Sequence, residues 1–238
     1  MPVCVVVGVG NEGIGDHCAM KWAAEGYKVA MLARREENLK RLEAKVPGTK
    51  GFVCDVTKHE SIPGVLESIV SELGPINHCI YNAGSGVFKS FEETSYDEFQ
   101  LSWSSGPGGV FSFAKILLPA MAANGGGVFG LTGATASWRG MGKTPAFASA
   151  KFGVRALSQS FAREYGPKGV HIFHVVIDGV VQQPRTKQWF SEDKPEDEFL
   201  SPKGIADHYW SLAQQPKVCW TLETSVAASS RMGDMLTI

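Results

Sequence analysis

Val3-Cys4-Val5-Val6-Val7-Gly8-Val9-Gly10-Asn11-Glu12-Gly13-Ile14-Gly15 is the stretch from which the fold follows. Five apolar, mostly β-branched residues run straight into glycines. A continuous apolar run of this kind reads as a strand buried on both faces, as in a parallel sheet. Gly8, Gly10 and Gly13 then supply the spacing G-x-G-x-x-G, and a helix is predicted from about Gly13 to Glu25. Glycines permit the tight turn and the close approach of backbone, while the helix N-terminus faces a pyrophosphate. Alone the motif is weak, and a glycine-rich turn without ligand is the alternative. The strand before it and the helix after it favour the ligand.

Working outward, the pattern repeats. Val29 to Ala33 is a second apolar run, Arg35 to Val46 places Leu39, Leu42 and Val46 at helical spacing, and Gly51 to Cys54 is a strand ending at Asp55. Thr57 with Glu60 has the spacing of a capping box. The helix behind it carries Ile62, Val65, Leu66, Ile69, Val70 and Leu73 on one face, and Ile76 to Ile80 opens another strand. Tyr96 to Trp103 and Val110 to Met121 read as helices separated by a break at Ser105-Gly106-Pro107-Gly108-Gly109. Gly127 to Leu131 is a strand, Pro145 to Tyr165 a long helix, Val170 to Ile177 a strand, Lys203 to Gln214 a helix and Trp220 to Val226 a last strand. Residues 182–202 form a polar excursion. Strand and helix alternate throughout, the signature of right-handed βαβ units. The expectation is a Rossmann-like, doubly wound parallel sheet of about seven strands in a three-layer α/β/α domain spanning the chain.

Composition excludes other classes. Of 238 residues, 44% are hydrophobic and 20% charged, so disorder and low-complexity character are ruled out. Lys plus Arg is 23 against 24 Asp plus Glu, a balance that argues against a nucleic-acid surface or an anionic-membrane binder. No apolar run approaches the ~18 residues of a spanning segment. Met1-Pro2 leads into the first strand without a basic region, so no secretory leader is expected. The 5 cysteines lack C-x-x-C spacing and read as reduced thiols of a cytoplasmic protein, mostly buried.

At the end of the second strand, where an acid would hold the ribose hydroxyl of NAD, the chain has Ala33-Arg34-Arg35. Loss of the acid and gain of guanidinium favour a 2′-phosphate, hence NADP(H) over NAD(H). The alternative is two solvated arginines at a helix start.

With the glycine loop, Asp55-Val56, Asn82-Ala83-Gly84 and Lys151 in place, the chain resembles the short-chain dehydrogenase/reductase family over residues 3 to 226. The resemblance implies that Gly8, Gly10, Gly13, Ile14 and Gly15 bind the cofactor, and that Asp55 and Val56 hold its adenine. It further implies that Asn82, Ala83 and Gly84 line the nicotinamide-ribose side, with Lys151 and Gly179 at the cofactor. One departure is in the loop, where Val9 stands in place of a glycine and Gly8 and Gly10 flank it.

A larger departure concerns catalysis. The family's Tyr-x-x-x-Lys is here Phe147-x-x-x-Lys151, on one helix face. The family's Ser position is Ala134 and its Asn position is Gly106. Phe147 has no transferable proton, and general acid–base catalysis is worth ~10²–10⁴ in rate. Thr132, Thr135 and Ser137 are nearby hydroxyls, Thr135 the best substitute because it neighbours the missing Ser, although such hydroxyls also bond loop backbone. Lys151 could donate directly. Asp178-Gly179 replaces the family's Pro-Gly, Asp178 being either a polar group near the nicotinamide or a turn residue. Trp138 and Arg139 either shape a substrate pocket or pack on a loop. His171 and His174, three apart on a strand, point to opposite faces and do not chelate one metal.

Small or apolar residues almost all round the Pro145–Tyr165 helix predict burial on several sides and a homodimer or homotetramer. Two functions stand: an oxidoreductase with altered acid–base chemistry on a small carbonyl or alcohol, and an inactive nucleotide-binding pseudoenzyme acting as sensor, scaffold or partner subunit.

Overall fold

Val3, Val5 and Val7 of the first strand enter one core with Leu66, Ile69, Phe113 and Leu117. Cys4 and Val6 enter another with Trp22, Leu39 and Tyr209, as the period-two geometry of a strand requires. The computed structural model describes residues 1–10, 12–188 and 195–231. Strands β1 (Val3–Val7), β2 (Lys28–Ala33), β3 (Thr49–Val53), β4 (Ile76–Tyr81), β5 (Gly127–Thr132), β6 (Val170–Ile177) and β7 (Glu223–Val226) form one sheet. Every pairing is parallel, in the order β3-β2-β1-β4-β5-β6-β7.

Helices α1 (Ile14–Ala24), α2 (Glu36–Glu43), α3 (Ile62–Leu73), α4 (Tyr96–Trp103), α5 (Gly109–Ala123), α6 (Pro145–Tyr165), α7 (Pro184–Lys187) and α8 (Pro202–Ala213) complete the regular elements. α1, α2 and α8 cover one face of the sheet; α3, α5 and α6 cover the other. The order reverses between β1 and β4, and in such sheets ligands bind outside the strand ends at that switch point.

Four details differ from expectation. The Ser-Gly-Pro-Gly-Gly stretch is no break: Ser104–Gly108 is a π-helical turn joining α4 to α5. Pro107 has no N–H to bond the carbonyl four residues back. The Gly109 amide instead reaches Ser104 O, while the buried Tyr81 hydroxyl donates to Ser105 O at 2.7 Å. A Cβ at Gly109 would meet that hydroxyl. The joined helix, Tyr96–Ala123, is long and apolar enough to cross a membrane, but half of its most apolar window is buried inside the protein.

Second, the Thr57–Glu60 capping box does not form. Thr57 donates from both its hydroxyl and its amide to Asp55 Oδ1, a nearer acceptor; a capping box occurs instead at Ser95 and Glu98. Third, Val70 lies outside the buried stripe of α3 and is 45% exposed. Fourth, β7 begins at Glu223, because Trp220 and Thr221 bond the Gln215 turn. The excursion 182–202 holds α7 and a bridge of Val181 to Leu200; its residues 189–194 lie outside the described residues.

Candidate active site

The glycine loop leaves β1 at the switch point. Gly8 adopts φ +92° and Gly10 φ +129°, left-handed backbone that favours glycine. A Cβ on Gly8 would sit 2.7 Å from the Ala83 amide nitrogen. In the shifted glycine pattern Gly8 makes the close approach, and Val9 turns its side chain into the core with Ile14. Asn82 closes the junction, its side chain donating to Gly8 O at 2.9 Å and its amide to Val7 O at 2.9 Å. α1 has no side-chain cap at Gly13, so its first-turn amides suit an anion.

Asp16, which sequence reasoning missed, braces this loop from the first turn of α1. Its buried carboxylate accepts the Gly10 amide, the Glu12 amide at 3.0 Å and Arg41 Nη2 at 2.7 Å. The signal available was an acid in the first turn of a helix that opens on a glycine loop.

A cleft of about 460 Å³ runs from this loop over the ends of β2 and β3, with Arg34, Arg35, Asn38, Asp55 and Val56 in its wall. Burial alone would raise the Asp55 pKa. The Thr57 hydroxyl and amide, with Arg34 and Lys58 nearby, outweigh that effect and hold it below the ordinary carboxylate range. Beyond Asn82 and Gly84 lies a second, more apolar cleft of about 980 Å³, walled by Ala134, Thr135, Phe147, Lys151 and Gly179. Ile14, Asn82, Gly84 and Gln183 border both. The glycines fit a dinucleotide: a Cβ on Gly10 would lie 2.8 Å from Asn38 Nδ2, and one on Gly13 2.5 Å from Gln183 Oε1. Side chains there would fill the cradle.

Lys151 Nζ donates to Thr132 O at 2.8 Å, and burial brings its pKa down to about 8. It stands 5.8 Å from the centre of the Phe147 ring, which packs at 5.1 Å on Phe88.

Comparison with known proteins agrees with this geometry. The family profile for short chain dehydrogenase matches residues 2–194. The chain belongs to the short-chain dehydrogenase/reductase family. It is 30% identical over 213 residues to a short-chain dehydrogenase/reductase of Armillaria gallica, covering 86% of this chain and 78% of that one. A D-threitol dehydrogenase of Mycolicibacterium smegmatis is 26% identical over 191 residues, covering 79% of this chain and 73% of that one. The solved short-chain dehydrogenase of Rhodopseudomonas palustris is 33% identical with a TM-score of 0.80, covering 94% of this chain and 97% of its own. An alcohol dehydrogenase of Thermococcus sibiricus, solved with 5-hydroxy-NADP, is 26% identical with a TM-score of 0.84, covering 96% and 97%.

Within this short-chain dehydrogenase/reductase, Phe147 and Lys151 lie side by side on α6 in the larger cleft, and Ala134 stands in the wall beside them. Gly106 does not line either cleft among the described residues; it packs on α6, where a Cβ would meet Ala150 at 3.5 Å. The hydroxyls sort themselves out. Thr132 Oγ1 accepts from Tyr209 at 3.0 Å. Ser137 is buried and its oxygen accepts the Ala134 amide at 3.1 Å. Thr135 reaches the cleft and donates to Asp178. Asp178 is buried.

Trp138 does not line the cleft; its indole donates to Glu223 at 3.1 Å. Glu223 also accepts Arg155 through two nitrogens, each at 2.7 Å, and faces His174 Nδ1 at 3.0 Å. Burial takes His174 down to about 4 despite Glu223. The neutral ring keeps its proton on Nδ1 toward the carboxylate and leaves Nε2 for the Ser137 hydroxyl at 3.4 Å. This chain of bonds fixes the loop carrying Ala134 and Thr135. His171 stacks instead on Trp220 at 4.8 Å, and no metal-binding group occurs among the described residues. Cys4, Cys18, Cys54 and Cys79 are buried, whereas Cys219 is exposed.

Proposed function

We propose that this chain is an NADP(H)-dependent oxidoreductase acting on a small carbonyl or alcohol, with proton transfer that uses no phenol. The observation that carries this reading is the meeting of the two clefts at Asn82 and Gly84, with Lys151 Nζ 3.9 Å from where a Gly84 Cβ would stand. A dinucleotide laid from the glycine loop would put its adenosine end beside Arg34, Arg35, Asp55 and Val56. Its nicotinamide end would then enter the larger cleft beside Lys151 and Gly179. When bound, the nicotinamide gives or takes the hydride. Lys151 would hold the ribose and would place positive charge beside the reacting oxygen, a form of electrostatic stabilisation.

A second reading, a nucleotide-binding pseudoenzyme, is favoured by one observation: the corner where the family keeps its phenol holds the apolar Phe147–Phe88 pair. Fluorescence titration with NADPH and NADH, followed by turnover assays on carbonyl and alcohol panels, separates the two. Tighter NADPH binding with turnover is expected. Binding without turnover supports the pseudoenzyme, and binding of neither cofactor removes both readings.

We also infer a cytoplasmic homodimer or homotetramer. Trp103, Phe111 and Phe152, on the adjoining helices α4, α5 and α6, remain 40%, 52% and 41% exposed in the single chain. Large apolar side chains left exposed on adjoining helices support an interface. A monomer mass by light scattering at micromolar concentration would sink this inference.

A further inference from the structure

Thr135 and Asp178 are 43 residues apart, and the fold brings them together behind the wall of the larger cleft, which Thr135 lines. Asp178 is 1% exposed, its amide donates to Val226 O at 2.9 Å, and Arg139 Nη2 stands 3.9 Å from its Oδ2. Its Oδ1 accepts the Thr135 hydroxyl. A hydroxyl has one hydrogen and two lone pairs. With its hydrogen committed to the carboxylate, Thr135 Oγ1 offers the cleft only lone pairs. It can accept from a ligand O–H and cannot donate to a carbonyl oxygen.

We propose that Thr135 and Asp178 form a proton relay that takes the hydroxyl proton of an alcohol substrate. Thr135 is the catalytic hydroxyl and Asp178 the residue acting through it. This inference rests on the oxidoreductase reading above and names its substrate class: a primary or secondary alcohol with an apolar body, suited to walls formed by Met141, Phe147 and Val180. The step balances. The substrate O–H proton passes to Thr135 Oγ1 while the Thr135 proton passes to Asp178 Oδ1. The hydrogen on the alcohol carbon leaves with its electron pair to the oxidised nicotinamide, and the C–O bond becomes a carbonyl. The proton then leaves Asp178 by the way it came, through the Thr135 hydroxyl to water in the cleft.

The other nearby groups do not compete for this role. Thr132 Oγ1 is engaged by Tyr209 and Ser137 by Ala134 and His174. The charged groups around it are Arg139 of the same loop, Lys151 of α6 and Arg185 of α7, all in the cleft wall. Behind the loop stand His174 and Glu223 with Arg155.

The test compares cyclohexanol with cyclohexanone, an alcohol and its ketone, by calorimetry on protein loaded with NADP⁺. The wild type should bind the alcohol about tenfold more tightly, the scale of a charge-linked hydrogen bond. Thr135→Val, nearly isosteric, should abolish that preference. Asp178→Asn, whose amide can donate to Thr135 Oγ1 and free its hydrogen, should abolish or invert it. Equal affinity for alcohol and ketone, or a preference that survives Thr135→Val, overturns the relay while leaving the oxidoreductase reading standing. Failure to bind NADP⁺ overturns that reading and the relay with it. If Asp178→Asn does not fold, Thr135→Val decides the question alone.

Discussion

The carboxylate of Asp16 holds the amide of Gly10, so the turn that approaches the cofactor is fixed by an acid on the helix it opens. The same carboxylate carries the Glu12 amide and Arg41. One fully buried side chain thus sets the shape of a loop whose Gly10 and Glu12 both have positive φ.

Asp16→Ala should therefore leave two amides and a guanidinium without their acceptor. The expected cost is about 2–3 kcal/mol, the scale for losing charged hydrogen bonds. For a chain of this size that lowers Tm by about 4–12 °C, and NADPH affinity should fall with it. A thermal melt within about 2 °C of wild type would show that the brace carries no stability.

Arg34→Ala with Arg35→Ala should weaken NADPH binding by about tenfold or more, since a guanidinium–phosphate contact is a charge-assisted bond. NADH, which lacks the 2′-phosphate, should lose little. Fluorescence titration of both cofactors reads the ratio; equal losses for the two would remove the arginines from cofactor selection.

Lys151 gives a pH signature. Burial lowers its pKa from 10.5 to about 8 in the folded chain. Between those values the unfolded chain binds the extra proton, so this group's contribution to stability rises with pH from about 8 and levels off near 10.5. Below pH 8 the lysine is charged in both states and its desolvation cost is fully present. Urea midpoints of wild type relative to Lys151→Met should therefore improve between pH 7.5 and 9.5. A difference that stays flat across that range would mean that Lys151 is not desolvated.

Phe147→Tyr adds one oxygen beside Lys151, whose ammonium should favour the phenolate. Ala134 would still offer no hydroxyl to the developing oxyanion, so the single change should yield little carbonyl reduction. Phe147→Tyr with Ala134→Ser should exceed the sum of the two single changes, because groups acting as one unit are non-additive. NADPH consumption against a generic diketone is the readout. Equal rates in wild type and double variant would show that chemistry here does not depend on those positions.

Much of the fold was legible because its signals are local. The β-branched run of β1 and the bounds of α6, Pro145 to Tyr165, follow from apolar patterning and a proline at the helix start. The π turn was not legible, since Ser-Gly-Pro-Gly-Gly reads as a break on composition. What holds it helical is tertiary: Tyr81 takes the Ser105 carbonyl, and His59 bridges the hydroxyls of Ser104 and Ser112 at 3.0 and 3.2 Å. The tight turn that follows β1 was readable from glycine spacing. The partners of Asp16 and of Thr135 were not, because Arg41 and Asp178 arrive from distant segments. Trp138 was open between two roles, and only its meeting with Glu223, 85 residues away, assigns it to the loop.

The π turn at Ser104–Gly108 also behaves as an insertion. A fifth residue closes a turn that ordinarily needs fewer, so α5 starts out of phase with α4 by about 100°, one residue's rotation. Phe113 and Leu117 thereby face the sheet, while Phe99 and Trp103 of the preceding helix keep an exposed side. Excising one residue from this turn would bring the two stripes into a single phase and set Pro107 against the Trp103 carbonyl. Adding or removing a residue at this point is thus a rotation of one half-helix against the other, with the wall of the smaller cleft at Leu101 and Ser105 turning with it.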